Sequence, residues 1–193
     1  LRTVNAAAAF GRPYALWPML GKRNIYLIGP MGTGKTAVGK HLGRLLGVPL
    51  IDSAKEIEHV AGVDIPYIFE REGEAGFRQR EREAIAALTQ REPIVLATGG
   101  GAILAPENRQ LLHEAGTVVF LQTSLAQQLR RVGKGRGRPM LKGVDMPQRL
   151  AELRAVRDPL YAEIADLTLT TDNRRVSKVA ELALRELGLE RTG

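Results

Sequence analysis

The sequence predicts an α/β fold in three layers, with helices on both faces of a central five-stranded parallel sheet. Two observations support this prediction. Short apolar runs rich in β-branched residues alternate with longer segments whose apolar residues recur at helical spacing, as in parallel βαβ units. Glycine-rich turns and an aspartate follow the predicted strands, at the sheet edge where such folds bind ligands.

The first half of the chain begins with a strand and a helix. Residues 24–28 (NIYLI) are apolar and β-branched, which is typical of a buried strand. After a glycine-rich turn, residues 35–46 carry apolar residues at helical spacing. A second strand is predicted at residues 49–51 and ends at Asp52, and the charge-rich residues 55–90 are predicted to be helical.

The second half continues the alternation. Short apolar runs predict three further strands, at residues 94–98, 117–121 and 167–171. Helical spacing predicts helices at residues 106–115, 124–131, 147–164 and 177–187. Between two of these helices, residues 133–143 contain four glycines and several cations, which predicts a loop.

Composition and charge exclude several classes of protein. The chain has no cysteine, which excludes disulfides, thiolate catalysis and cysteine-ligated metal sites. Its apolar runs are shorter than the roughly 18 residues that span a bilayer, so no membrane partner is expected. The net charge of +7 suits phosphorylated small ligands, and without a binding motif it does not predict dedicated nucleic-acid recognition.

The first 22 residues differ in character from the rest. They contain an alanine run, two prolines and the only tryptophan, with no clear period. We interpret residues 1–22 as an N-terminal extension rather than a signal peptide, because the prolines and Arg12 interrupt any apolar segment. Residues 23–190 are predicted to form a single domain.

Residues 29–36 (GPMGTGKT) match the phosphate-loop pattern GxxxxGK[ST] at every fixed position. Glycines let backbone N–H groups curl around an anion, and the following helix points its positive end toward it. The lysine of the pattern reaches the β- and γ-phosphates, and the hydroxyl after it ligates Mg²⁺. The motif predicts ATP binding through Gly32, Thr33, Gly34, Lys35, Thr36 and Ala37.

Further motifs lie along the rest of the chain. They are IDSAKEIE at residues 51–58, GEAGFRQRE at 73–81, ATGGG at 97–101, GRPML at 137–141 and RDPLY at 157–161. Their order and spacing resemble those of the shikimate kinases, P-loop enzymes with a nucleoside-monophosphate-kinase-like fold. The resemblance implies Mg-ATP-dependent phosphorylation of the 3-hydroxyl of shikimate in aromatic amino acid biosynthesis. It also implies a cytoplasmic enzyme, and we expect a monomer.

On the acceptor side, the resemblance implies that Arg78 and Arg157 clamp the shikimate carboxylate, since their planar guanidinium groups suit paired hydrogen bonds. Glu81 would orient Arg78. The amides around Gly100 would hold a shikimate hydroxyl.

On the nucleotide side, the resemblance implies that Lys35, Arg138 and Mg²⁺ neutralise the transferring phosphoryl group. Thr36 and Asp52 would hold the metal, with Asp52 usually acting through water. Lys35, Asp52 and Arg138 are therefore the predicted catalytic residues. The resemblance also implies that residues 133–143 are a lid that closes over ATP. Adenine or phosphate contacts are implied for Arg131, Arg138 and Arg174.

The sequence departs from the family at Ala54, a predicted substrate-binding position. The family has a second aspartate there, which binds a shikimate hydroxyl and is the proposed base. An alanine side chain neither accepts a hydrogen bond nor takes a proton. Three interpretations therefore stay open: a shikimate kinase of full or impaired activity, a P-loop kinase of another small polyol or nucleotide, and a protein that binds ATP and shikimate without turnover.

Overall fold

The computed structural model describes residues 24–132 and 145–189. The predicted N-terminal extension and the predicted lid, which contains Arg138, lie outside the described residues. What was predicted for these two segments therefore stays a prediction.

A five-stranded parallel sheet forms the centre of the described structure, in the strand order β2-β3-β1-β4-β5. The strands are β1 (Ile25–Ile28), β2 (Leu50–Asp52), β3 (Val95–Ala97), β4 (Thr117–Gln122) and β5 (Leu167–Thr170). The central strand β1 pairs Ile25 with Val95 of β3 on one side and with Thr117 of β4 on the other. The predicted parallel sheet is confirmed.

Helices connect the strands and cover both faces of the sheet. They are α1 (Lys35–Leu46), α2 (Ser53–Ala61), α3 (Ile65–Leu88), α4 (Pro106–Ala115), α5 (Leu125–Val132), α6 (Met146–Ile164) and α7 (Val176–Glu186). Each predicted helix is found within a residue or two of its predicted bounds, apart from the long segment at 55–90.

Alternate residues of β1 separate two apolar clusters, which gives the three layers. Ile25 and Leu27 face the cluster that contains the apolar residues of α1 and α7. Tyr26 and Ile28 face the other cluster, which includes residues of α3, α4 and α6. Because side chains alternate along a strand, one buried run supplies both halves of the core.

The structure differs from the predicted elements in two places. The segment at 55–90 contains two helices, because Gly62 ends α2 with a φ of 69° and the Asp64 side chain caps α3 by accepting from Tyr67 N. A short 3₁₀ helix, Ala102–Leu104, follows the glycine triplet and was not predicted. Its pattern is hidden because it is only three residues long and begins inside a glycine-rich turn.

The third helix is interrupted near its middle. Gly73 has φ 68° and ψ −174° and breaks the regular helix. A smaller apolar cluster of Ile57, Ile68 and Phe77 joins α2 to both parts of α3. No helix within residues 24–132 and 145–189 is long and apolar enough to cross a membrane.

Candidate active site

The candidate site lies at the carboxyl ends of three neighbouring strands. The phosphate loop follows β1, Asp52 ends β2, and the glycine triplet at 99–101 comes just after β3. Because the strands are parallel and adjacent, these turns meet at one edge of the sheet. Motifs that are far apart in sequence are thus brought together.

The phosphate loop has the backbone that its glycines predict. Gly29, Gly32 and Gly34 have φ values of 136°, 83° and 89°, a region that favours glycine. A Cβ atom at Gly29 would lie 2.2 Å from the Leu121 carbonyl oxygen, so the loop begins in direct contact with β4. Thr33 Oγ1 donates to the Pro30 carbonyl at 3.0 Å and braces the turn from within.

Lys35 begins α1 and folds back into the loop. Its Nζ donates to the carbonyl oxygens of Gly29 at 2.7 Å and Pro30 at 2.9 Å. The ammonium group therefore lies within the turn, beside the N-terminal end of a helix. Both features favour an anion at this place.

Thr36 and Asp52 bring two oxygen donors together beside the loop. Thr36 Oγ1 donates to Asp52 Oδ2 at 2.7 Å, while Asp52 Oδ1 accepts from Ala54 N at 3.1 Å. Hydroxyl and carboxylate oxygens are ligands that Mg²⁺ prefers, so this pair fits the predicted metal. Across the described ranges, no group of three or more His, Cys, Asp or Glu side chains is placed to hold a metal.

Ala54 is the second residue of α2, and its amide completes the cap that Asp52 provides. The side chain is half-buried and consists of one methyl group. This position therefore offers the site neither an acceptor nor a base.

Arg78 is held by two glutamates on α3. Its Nη1 donates to Glu81 Oε2 at 2.7 Å, and its Nη2 donates to Glu74 Oε1 at 3.1 Å. Glu81 is only 2% exposed, and burial raises the pKa of its carboxyl although the charges of Arg78 and Arg157 oppose that shift. The arginine is thus fixed in direction by a carboxylate that is itself buried.

The glycine triplet at 99–101 packs directly against the side chains of Arg78 and Glu81. A Cβ atom at Gly101 would lie 2.4 Å from Arg78 Nη1, and one at Gly99 would lie 2.6 Å from Glu81 Oε1. A Cβ atom at Gly100 would lie 3.3 Å from Met31 N, so the triplet also contacts the phosphate loop. The absence of side chains is what lets these groups approach each other.

Arg157 approaches the same triplet from α6. Its Nη1 donates to the Gly100 carbonyl at 3.4 Å, and the Tyr161 hydroxyl donates to that carbonyl as well. Arg157 is 5% exposed, and burial lowers the pKa of its guanidinium. Since Arg78 lies against Gly101 and Arg157 donates to Gly100, the two arginines converge on one region.

Arg131 links the phosphate loop to the end of β5. Its Nη1 donates to the Gly32 carbonyl and to Thr171 Oγ1, both at 3.1 Å, and its Nη2 donates to the Thr171 carbonyl at 3.2 Å. Arg174 lies three residues after Thr171 in the chain, and it is exposed. Arg131 is therefore on the phosphate-loop side of the site, where the nucleotide was predicted.

Comparisons with known proteins identify the family of the chain. The family model described as shikimate kinase matches residues 31–188. A shikimate kinase from Methylococcus capsulatus is 56% identical over 153 residues, which is 79% of this chain and 86% of the relative. One from Hahella chejuensis is 45% identical over 182 residues, 93% of this chain and 95% of the relative.

The chain belongs to the shikimate kinase family. It is therefore a phosphotransferase with an alcohol acceptor, built on the P-loop kinase fold. Among solved structures, the shikimate kinase from Acinetobacter baumannii in complex with shikimate has a TM-score of 0.87 and is 43% identical, covering 94% of this chain and all of that one. The predicted family and fold are confirmed.

Two residues of this chain that sequence reasoning did not single out support the site. Gly99 N donates to Ser53 Oγ at 2.9 Å, so the fully buried Ser53 joins the end of β2 to the glycine triplet. Tyr161 holds the carbonyl of Gly100. Both belong to recognised motifs, DSA and RDPLY, so their place in a motif was the available signal.

Proposed function

We propose that this chain transfers the γ-phosphoryl group of ATP to the 3-hydroxyl of shikimate, giving shikimate 3-phosphate and ADP. The observation that carries the proposal is the convergence of Arg78 and Arg157 on the glycine triplet. Two guanidinium groups provide paired planar donors that suit a carboxylate. Shikimate has a carboxylate, whereas an uncharged polyol does not. The similar kinase from Acinetobacter baumannii is a complex with shikimate, which supports the same acceptor here.

The acceptor would lie between these arginines and the phosphate loop. Because Gly100 packs against Met31 N, an acceptor held at the triplet is adjacent to the loop that binds the phosphates. Arg78 and Arg157 would hold its carboxylate, and the amides around Gly100 would hold a hydroxyl. Positioning of this kind converts the transfer into an effectively unimolecular step.

Residues of the phosphate loop would hold ATP and stabilise the transferring group. In this proposal the amides of Gly32, Thr33, Gly34 and Ala37 surround the phosphates, and Lys35 moves from its carbonyl partners to the phosphate oxygens. Arg138, in the predicted lid, adds a second positive charge over the γ-phosphate. Arg131 and Arg174 contact the adenine side of the nucleotide.

Thr36 and Asp52 would hold Mg²⁺, directly or through water. The cation, when bound, neutralises charge on the β- and γ-phosphates. The hydrogen bond between Thr36 Oγ1 and Asp52 Oδ2 already places both oxygens together, which supports this assignment.

The acceptor oxygen forms a bond to the γ-phosphorus while the bond from that phosphorus to the ADP oxygen breaks, and the hydroxyl proton passes to solvent water. Ala54 cannot receive that proton. In a loose phosphoryl-transfer transition state, however, positioning and charge neutralisation matter more than the base. We therefore propose that the chain is active at a reduced rate.

Coupled measurement of ADP release tests this function, with Mg-ATP and shikimate added to the unaltered chain and to the Ala54→Asp variant. We expect turnover that requires shikimate in both, with a kcat about 100-fold higher in the variant, because general bases contribute at least that much. Turnover in the variant alone would favour a second candidate, a protein that binds both ligands without turnover. That candidate is motivated by Ala54 itself.

An acceptor panel separates shikimate from other small polyols. The arginine pair predicts that an analogue with an amide in place of the carboxylate is phosphorylated far more slowly than shikimate. Equal rates with both acceptors, or no turnover by either protein with shikimate, would overturn the assignment. A monomeric state and a cytoplasmic location belong to the same proposal, and size-exclusion chromatography tests the first of them.

A further inference from the structure

Tyr161 is fully buried in the core, yet its hydroxyl reaches the active-site backbone. The ring is stacked on Phe120, with 5.0 Å between the ring centroids, and belongs to the apolar cluster beneath the sheet. The hydroxyl donates to the carbonyl oxygen of Gly100. Burial raises the pKa of this phenol, so the group remains a protonated donor over the working pH range.

The glycine triplet depends on bonds from outside because its own residues do not restrict it. Glycine adopts a wider range of φ and ψ than other residues, and three in succession make an unusually pliable turn. Each peptide unit of the turn is held by one partner or pair. The first unit, which joins Thr98 to Gly99, is held because Gly99 N donates to Ser53 Oγ. The second, which joins Gly99 to Gly100, is held because the Gly99 carbonyl accepts from Ala102 N at 3.1 Å.

Among the described residues, Tyr161 and Arg157 hold the third peptide unit, which joins Gly100 to Gly101, and both act through the Gly100 carbonyl. The bond from Arg157 is long, at 3.4 Å, so Tyr161 is the closer of the two donors. Because a peptide unit is planar, fixing this carbonyl also fixes the direction of the Gly101 N–H. The same carbonyl is an anchor for the guanidinium of Arg157.

We propose that Tyr161 is a positioning residue for the acceptor, acting through the Gly100 carbonyl to set both the glycine-triplet backbone and the place of Arg157. Tyr161 does not touch the acceptor. This inference rests on the proposed function, in which the triplet and Arg157 bind shikimate. It predicts that the Tyr161 hydroxyl contributes to the affinity for the acceptor and not to that for ATP.

Tyr26 provides a matched control within the same chain. It is also fully buried, lies in the same apolar cluster, and has its hydroxyl hydrogen-bonded, in this case by Asn24 Nδ2 at 2.9 Å. Asn24 lies just before β1, at the sheet edge opposite the candidate site. Replacing either tyrosine by phenylalanine removes one buried hydroxyl, but only one of the two hydroxyls contacts the site.

The test compares Tyr161→Phe and Tyr26→Phe with the unaltered chain. The Michaelis constants for shikimate and ATP are measured by ADP release, and the shikimate Kd by isothermal titration calorimetry. For Tyr161→Phe we expect the shikimate KM and Kd to rise about 3- to 10-fold, the range that one uncharged hydrogen bond provides, with the ATP KM within twofold of its original value. Tyr26→Phe should lower the melting temperature without changing either constant.

Unchanged shikimate KM and Kd in a folded Tyr161→Phe protein would overturn the inference while leaving the proposed function standing. An equal rise in the constants for ATP and shikimate would also overturn it, because it would indicate general loosening of the core. If the unaltered chain and its Ala54→Asp variant neither bind nor phosphorylate shikimate, the proposed function fails and this inference fails with it.

Discussion

Replacing Gly101 by alanine tests whether the place of Arg78 determines acceptor binding. An added Cβ atom would lie 2.4 Å from Arg78 Nη1 and 2.6 Å from both Cζ and Nη2, whereas ordinary contact begins at 3.4 Å. The guanidinium must therefore retreat by about 1 Å. Gly101 has φ −102° and ψ −3°, which alanine adopts without left-handed strain, so the effect comes from the side chain.

The size of the effect follows from the bonds that such a movement breaks. Arg78 leaves the direction in which Glu81 holds it, and its charge-assisted hydrogen bonds to the acceptor carboxylate are weakened. Each such bond contributes about 1.5–3 kcal/mol, which corresponds to a rise of about 10- to 100-fold in the shikimate KM. The bond from Arg78 to the buried Glu81 is stretched by the same movement, so the melting temperature should also fall.

The assay varies shikimate at saturating Mg-ATP and then varies ATP at saturating shikimate. Calorimetric titration of shikimate gives the affinity directly, so the result does not depend on how fast the Ala54 enzyme turns over. Gly116→Ala is the matched control, because its Cβ would lie 2.3 Å from the Tyr26 ring at the opposite edge of the sheet, in extended backbone. It should lower stability and leave both KM values unchanged. An unaltered shikimate affinity in folded Gly101→Ala would refute the reasoning.

Two further predictions concern stability. Alanine in place of a helical glycine usually stabilises a protein by about 1 kcal/mol, but a Cβ at Gly76 would lie 2.4 Å from Glu72 Cβ and disturb the pair of bonds from Arg80 to Glu72. We therefore expect Gly76→Ala to lower the melting temperature in circular dichroism, and a rise would contradict the packing described. The hydrogen bond from Thr123 holds the pKa of the Asp172 carboxyl below its usual value. The unaltered chain should thus be more stable than Asp172→Ala above the ordinary aspartate pKa, and should lose that advantage as pH falls through the lowered pKa. Melting temperatures measured from about pH 7 to about pH 2 check this, and a constant difference across that range would refute it.

Local patterns in the sequence determined the elements and the chemistry of the phosphate loop. Apolar runs such as Ile25–Ile28 predict strands because a buried strand needs apolar residues at consecutive positions, and this pattern is local in the sequence. The phosphate-loop motif predicts its own backbone because glycine is needed at its positive φ angles. The strand at 94–98 was predicted one residue too long at each end, and the 3₁₀ helix Ala102–Leu104 was missed, because ends and short turns depend on contacts beyond the local segment.

Only the tertiary structure decided the strand order and the arrangement of side chains around the glycine triplet. The sequence places Arg78 on one helix and Arg157 on another, 79 positions apart in the printed chain, and no local pattern fixes the distance between them. Packing of α3 and α6 on the same face of the sheet brings both to residues 99–101. The role of Tyr161 was hidden for the same reason. Its place in the RDPLY motif marks it in the sequence, but only the folded backbone places its hydroxyl on the Gly100 carbonyl.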